Sequence, residues 1–143
     1  MLRSSLVTFL GLTGRTLVVR LGLVAVGGTF GSVSRYLVAL YTAQHVGATF
    51  PWGTLIVNVV GSFLIGVLAT LADEMGVIGP ETRVLLVVGV LGGFTTFSSF
   101  SLDTLRLLEA NELLRSGLYV CASLAVSFLA TTAGIALARA LNR

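Results

Sequence analysis

Uncharged stretches dominate this chain and recur at the length of a bilayer crossing. No Asp, Glu, Lys or Arg occurs from Leu21 to Ser34, from Tyr36 to Ala72 or from Ser116 to Ala138. Between Val84 and Leu105 the one charge is Asp103. A helix needs about 20 largely apolar residues to cross the hydrocarbon. The pattern therefore predicts four spans, at Leu17–Tyr41, Trp52–Ala72, Thr82–Leu107 and Leu113–Arg139. Pro51 and Pro80 stand just ahead of the second and third, where a helix start accepts proline. Trp52 puts an amphipathic ring at an interface. The loops are short, roughly Thr42–Pro51, Asp73–Glu81 and Leu108–Glu112, and the acids Asp73, Glu74, Glu81, Glu109 and Glu112 fall in or beside them.

Composition agrees. The 143 residues are 55% hydrophobic and only 10% charged, against about a quarter charged in a soluble domain. A soluble globule of this size needs a charged surface that the chain lacks, so the reading is an all-α integral membrane protein. All nine basic residues are arginine and the net charge is +3. The arginines are scattered rather than gathered on one face, and no nucleic-acid partner is expected. Arg3, Arg15, Arg20, Arg83, Arg139 and Arg143 fall on the side of the termini, and Arg35, Arg106 and Arg115 on the other. The positive-inside rule then favours a cytoplasmic N-terminus, by a margin that leaves insertion in both orientations open. Residues 1–16 read as a retained N-terminal tail, because the apolar run Leu6–Leu12 is short and no small-x-small cleavage site follows it. The membrane domain is then 17–143. The single Cys121 reads as a small buried hydrophobe in the fourth span.

Polar residues inside the spans carry the candidate chemistry. Gly89–Ser101 combines five hydroxyl residues, the adjacent Gly92 and Gly93, and three phenylalanines. Lipid tolerates irregular backbone only where it is buried in protein or lines a water-accessible path. The glycines weaken the helix there, and Thr95, Thr96, Ser98 and Ser99 supply partners for freed backbone groups. An unwound turn would expose carbonyl oxygens suited to a hard cation. Phe97 and Phe100 share a face; their ring edges carry partial positive charge that favours an anion, although plain packing is the commoner use of such a pair. In the second span Thr54, Asn58 and Ser62 share a helix face. Asn58, the only carboxamide in any predicted span, serves either an interhelical bond or an anion. Tyr119, Ser123, Ser127 and Thr131 repeat that spacing in the fourth span as a polar track. Arg35 is an embedded charge, functional by default unless it snorkels to a helix end; near a mouth it would attract anions. Gly27-x-x-x-Gly31 and Gly89-x-x-x-Gly93 permit close helix contact.

From about Gly22 to Leu137 the chain resembles the Fluc (CrcB-type) fluoride channel family. The resemblance is carried by GGTFGSVSRY at Gly27–Tyr36, GTLIVNVVGSFLIG at Gly53–Gly66 and GVLGGFTTFSSFSLD at Gly89–Asp103. It implies an antiparallel, dual-topology dimer of four-helix subunits, with the third helix broken at mid-membrane and two pores along the interface. It implies a structural Na⁺ held by the backbone carbonyls of Gly92 and Thr95 from both subunits. Phe97 and Phe100 would line the pore, Asn58 would present its amide, and Ser99, Tyr119, Ser123 and Ser127 would form the polar track. Arg35 matches a vestibule arginine, and Asp103 falls where the family often carries an acid near a pore end. Threonine is more usual where this chain has Ser99, which keeps the hydroxyl.

The function so implied is passive, fluoride-selective export of cytoplasmic F⁻ through the inner (plasma) membrane, giving fluoride resistance. The partners would be fluoride, lipid and a second copy of the chain or a paralogue. The alternative is a small four-helix multidrug or cation transporter, but those rely on a glutamate in the first helix, and Leu21–Ser34 has no acid. A non-conducting scaffold is a third reading. An enzyme is not expected: no nucleophile–base set and no G-x-x-x-x-G-K-[ST] phosphate loop occurs, and His45 stands alone in a predicted loop.

Overall fold

The computed structural model describes residues 14–141. The tail reading for residues 1–13 lies outside them. Four helical segments are long and apolar enough to cross a membrane. Helix α1 is Gly14–His45, and α2 is Trp52–Glu74, whose last turn, Thr70–Glu74, winds more widely in i→i+5 fashion. The third segment, Pro80–Glu109, consists of α3 (80–94) and α4 (Phe97–Glu109). Helix α5 is Leu113–Leu141.

All four segments outrun their predicted spans. At about 1.5 Å per residue, the 32 residues of α1 reach about 48 Å, well past the roughly 30 Å of hydrocarbon. Polarity located where the apolar run ends, but hydrogen bonding carries each helix further, into its charged flanks. His45 is therefore the last residue of α1, not a loop residue, and its ring stacks on Tyr41 at 4.3 Å. Gln44 also lies within α1, so Asn58 is not the only helical carboxamide. Cys121 is exposed. It sits two residues from each of the buried Tyr119 and Ser123, which turns it to the opposite side of α5.

Helix α2 packs chiefly along α5, and α1 along α3. Both seams are backbone-to-backbone contacts made by glycine. Gly27 and Gly89 approach so closely that a Cβ built on either would sit 3.0 Å from the other's Cα. A Cβ on Gly31 would overlap the Val90 carbonyl oxygen, and one on Gly93 would lie 3.1 Å from the Gly28 Cα. The two predicted G-x-x-x-G pairs thus meet each other. In the second seam a Cβ on Gly66 would overlap the Thr131 carbonyl oxygen, and one on Gly134 that of Phe63. Lipid supplies no hydrophobic drive between helices, so close approach and dispersion do this work.

The ends are tied by short local devices. At one end Arg83 bonds Asp73 at 2.9 Å and Arg139 bonds Glu74 at 2.7 Å, joining the wide turn of α2 to the starts and ends of its neighbours. These pairs are exposed and each contributes little, about 0–1 kcal/mol. At the other end α4 stops at a left-handed Asn111 (φ 59°). The Asn111 N–H bonds Leu108 O and the Glu112 N–H bonds Leu107 O, each at 2.9 Å, which closes a Schellman turn into α5.

The glycine seams generate a prediction. Gly134→Ala should lower the thermal midpoint in detergent, at a cost of about 1–3 kcal/mol for overpacking a fixed backbone. Gly22→Ala, where a Cβ meets nothing within 4 Å, should be neutral or slightly stabilising. Equal effects at the two sites would remove the close-contact reading of the α2–α5 seam.

Candidate functional site

Between Phe94 and Phe97 the helix is interrupted by two extended residues, Thr95 (φ −82°, ψ 160°) and Thr96 (φ −156°, ψ 120°). The sequence pointed to Gly92-Gly93 as the weak turn. Those glycines are helical, as the last turn of α3, and the extension falls on the threonines that follow. Their hydroxyls explain why. Thr95 Oγ1 donates to Leu91 O at 2.9 Å and finishes α3. Thr96 Oγ1 accepts from the Ser99 N–H at 3.1 Å and caps α4.

Asn58, from α2, closes on the gap. Its Oδ1 accepts the Thr96 N–H at 2.8 Å and its Nδ2 donates to Thr96 O at 3.0 Å. One side chain thereby satisfies both backbone groups of the residue that leaves the helix. Each substitution of partner frees a carbonyl. In unbroken helix the Thr96 N–H would go to Gly92 O, and the Ser99 N–H to Thr95 O. Both donors are diverted, to Asn58 and to the Thr96 hydroxyl. Thr95 O receives instead the Arg35 guanidinium, Nη1 at 3.5 Å. Arg35 is thus not at the end of α1: it is half-buried against the interruption.

A cleft of about 440 Å³ opens beside this break. Gly92, Thr95, Phe97 and Phe100 form one wall, Asn58 and Ser62 the next, and Ser123 and Ser127 the third. Phe97 and Phe100 lie 5.5 Å apart, centroid to centroid, with Phe97 at the rim and 77% exposed. Three of the selected residues stand off the cleft. Arg35 lies behind the break. Ser99 is drawn into the cap, where its Oγ accepts from Thr96 Oγ1 at 3.2 Å. Tyr119 is fully buried behind Phe100, with ring centroids 5.3 Å apart.

Two hydroxyls here have no partner. Tyr119 Oη and Ser123 Oγ, one turn apart on α5, are buried without a hydrogen bond. Thr54 and Asp103 lie near the Tyr119 hydroxyl, and Thr54 Oγ1 donates to Asp103 Oδ2 at 2.7 Å. Native structures seldom leave buried polar atoms unsatisfied without a purpose.

Past Tyr119 a second cavity, about 620 Å³, reaches the α4–α5 end of the molecule. Thr54 and Asp103 line it with Phe50, Arg106 and Arg115. Asp103 also faces Arg106 at 3.7 Å. The Thr54–Asn58–Ser62 stripe therefore runs from this cavity into the cleft. Its spacing located Thr54. The Asp103 partnership was visible only as a lone charge in a span, and Phe50 carried no sequence signal. Among the described residues no group of three His, Cys, Asp or Glu could hold a metal.

Comparison with known proteins agrees over most of the chain. Residues 22–135 match the family described as CrcB-like protein, Camphor Resistance (CrcB). The fluoride-specific ion channel FluC of Rhizobium meliloti (strain 1021) is 55% identical over 120 residues, covering 83% of this chain and 95% of that protein. FluC of Agrobacterium fabrum is 54% identical over 121 residues, covering 85% and 97%. FluC of the more distant Opitutus terrae is 50% identical over 121 residues, covering 83% and 92%.

Removing one half of the Asn58 clasp tests it. Asn58→Asp keeps an acceptor for the Thr96 N–H but sets a carboxylate against the Thr96 carbonyl. It should cost about 1–3 kcal/mol, the penalty of an unsatisfied buried group, read as a lower thermal midpoint in detergent. An unchanged midpoint would mean the amide does not hold the break.

Proposed function

The chain belongs to the CrcB family, and we propose that it is a fluoride channel that exports cytoplasmic F⁻ passively. The observation that carries this reading is the pair of buried, unpartnered hydroxyls, Tyr119 Oη and Ser123 Oγ, set beside a phenylalanine-lined cleft. Fluoride is strongly hydrated, and a dry apolar path would exclude it. A conduit must replace that shell with donors, and donors are what the cleft offers. Hydroxyls come from Ser123 and Ser127, the second amide hydrogen from Asn58, and positive ring edges from Phe97 and Phe100. All are neutral, so no contact is strong enough to trap the ion, and conduction needs binding weak enough to leave. Arg35 adds a fixed positive charge behind the break, which favours anions over cations.

Direction follows from the membrane. HF enters as a neutral acid and ionises in a less acidic cytoplasm; the inside-negative potential then drives the anion out, by about 2.3 kcal/mol per charge per 100 mV. In a cell the site of action is the inner (plasma) membrane, and the outcome is fluoride resistance.

The same reading makes the working unit an antiparallel dimer, homomeric or paired with a paralogue. Two features favour it: the cleft is open along one flank, and Phe97 is 77% exposed at its rim. A facing copy would close that flank. Gly92 O and Thr95 O, the carbonyls freed by the break, would hold a Na⁺ shared with the second copy. Bound there, the cation would supply positive charge and a cross-link between subunits. Thr95 O keeps a second lone pair for it beside the Arg35 contact.

Fluoride efflux from liposomes tests the channel. The wild-type chain should pass fluoride without a proton gradient or drug and exclude chloride; proton-coupled flux would indicate a transporter, and no flux a scaffold. Phe97→Ile or Phe100→Ile should suppress fluoride flux tenfold or more, on the order of the 1.4 kcal/mol loss that removing one aromatic contact brings. The elution volume should stay that of the wild type. Unchanged flux in both variants would remove the phenylalanines from the pore.

A further inference from the structure

The cleft and the second cavity line up along one face of α2, yet one side chain divides them. Tyr119 is wholly buried and lines neither. Phe100, which lines the cleft, lies 5.3 Å from it on one side. Phe50, which lines the second cavity, meets it on the other side at 5.5 Å and 87°, edge against ring. Trp52 backs Phe50 at 4.6 Å. Five rings thus run from the α1–α2 connection to the break: Trp52, Phe50, Tyr119, Phe100 and Phe97.

The Tyr119 hydroxyl makes no well-formed hydrogen bond, although Thr54 and Asp103 lie near it. Its orientation is therefore set chiefly by the aromatic contacts. Phe100 belongs to the cleft wall, whereas Phe50 comes from the non-helical connection between α1 and α2 and lines the second cavity. We infer that Phe50 is a positioning residue: it holds Tyr119 as the partition between the two cavities and so sets which halide passes. This rests on the channel reading above. An ion going from one cavity to the other must deflect the Tyr119 ring or slip past its hydroxyl. With Phe50 in place the deflection is limited, and the opening suits the smallest halide, which the free hydroxyls of Tyr119 and Ser123 solvate as it passes. Without the Phe50 ring Tyr119 can swing toward the second cavity, and a larger, more weakly hydrated anion such as chloride gains a route.

The experiment is fluoride and chloride flux through the full-length chain in liposomes, read as the ratio of the two. Phe50→Leu should lower the fluoride-to-chloride ratio by between about twofold and tenfold, the range that one aromatic pair contributes. Phe50→Tyr, which keeps the ring, should restore the wild-type ratio. In a Tyr119→Leu background Phe50→Leu should change nothing further, because its action runs through the missing ring. Phe50→Met serves if the leucine variant does not purify at the wild-type elution volume. A conducting wild type whose ratio is unmoved by Phe50→Leu or Phe50→Met overturns this inference alone, as does an effect of Phe50→Leu that simply adds to that of Tyr119→Leu. A wild type that passes no fluoride overturns the channel reading, and this inference with it.

Discussion

The Asn58 amide closing on Thr96 is the interaction on which the rest of this structure depends. Within an apolar bilayer an unsatisfied backbone group costs several kcal/mol, and a two-residue extension strips several such groups of their helical partners. Asn58 answers the Thr96 N–H and C=O with one rigid, planar group. The Thr95 and Thr96 hydroxyls then finish one helix and start the next. Polar side chains drawn from two segments thus make the interruption stable at one place. They also determine which carbonyls are left over, since each diverted N–H leaves a vacancy four residues back.

That arrangement needs the helices very close together, which is why glycine is so frequent along the seams. Gly61 of α2 sits directly against the Thr95 methyl, and a Cβ there would overlap it. A larger residue would push α2 off the break and carry Asn58 out of reach. On the far side, the Gly27–Gly89 and Gly28–Gly93 contacts bring α1 against α3, and with it Arg35 to the Thr95 carbonyl. Backbone contact in one place thus sets hydrogen-bond geometry in another. Among the described residues the largest fully buried side chains are Tyr119 and Val57.

Much of this was legible in the sequence, for physical reasons that also mark where reading stopped. Charge-free runs gave the four segments, because burying a charge in lipid is costly wherever it falls. They misjudged the ends, since helices continue past the apolar stretch into charged flanks. The i+4 stripes put Asn58, Ser62, Ser123 and Ser127 on one cleft, because helical spacing alone fixes a face. The glycine pair drew attention to the third segment but not to the two residues that leave the helix; there the side-chain hydroxyls outweigh backbone freedom. Ser99 shows the limit of a hydroxyl pattern: its position fits a polar track, but its neighbour Thr96 claims it for a cap. Tyr119 shows the same limit, being one member of a stripe yet enclosed by rings from two other segments. Arg35 could not be placed because its contact, the Thr95 carbonyl, lies on another segment and leaves no mark in its own helix. Phe50 was invisible, because contact between a connecting segment and α5 leaves no local periodicity.

In the channel proposed above, Arg35 would also set how the pathway treats charge. At an effective dielectric near 20, an anion about 10 Å from a fixed guanidinium would gain about 1.7 kcal/mol. That is enough to favour anions over cations by more than tenfold, and too little to hold one. Were the arginine to line the cleft directly, the attraction would be several times larger and the ion would stay. Its contact with Thr95 O, at 3.5 Å, sets the charge behind the break, so what a permeating ion would touch is neutral. At the other end Asp103 would oppose an anion, but it accepts from Thr54 and faces Arg106, which offsets its charge locally. In that proposal the two devices share a logic: charge would set the sign of the ion from a distance, and neutral donors would do the contact work.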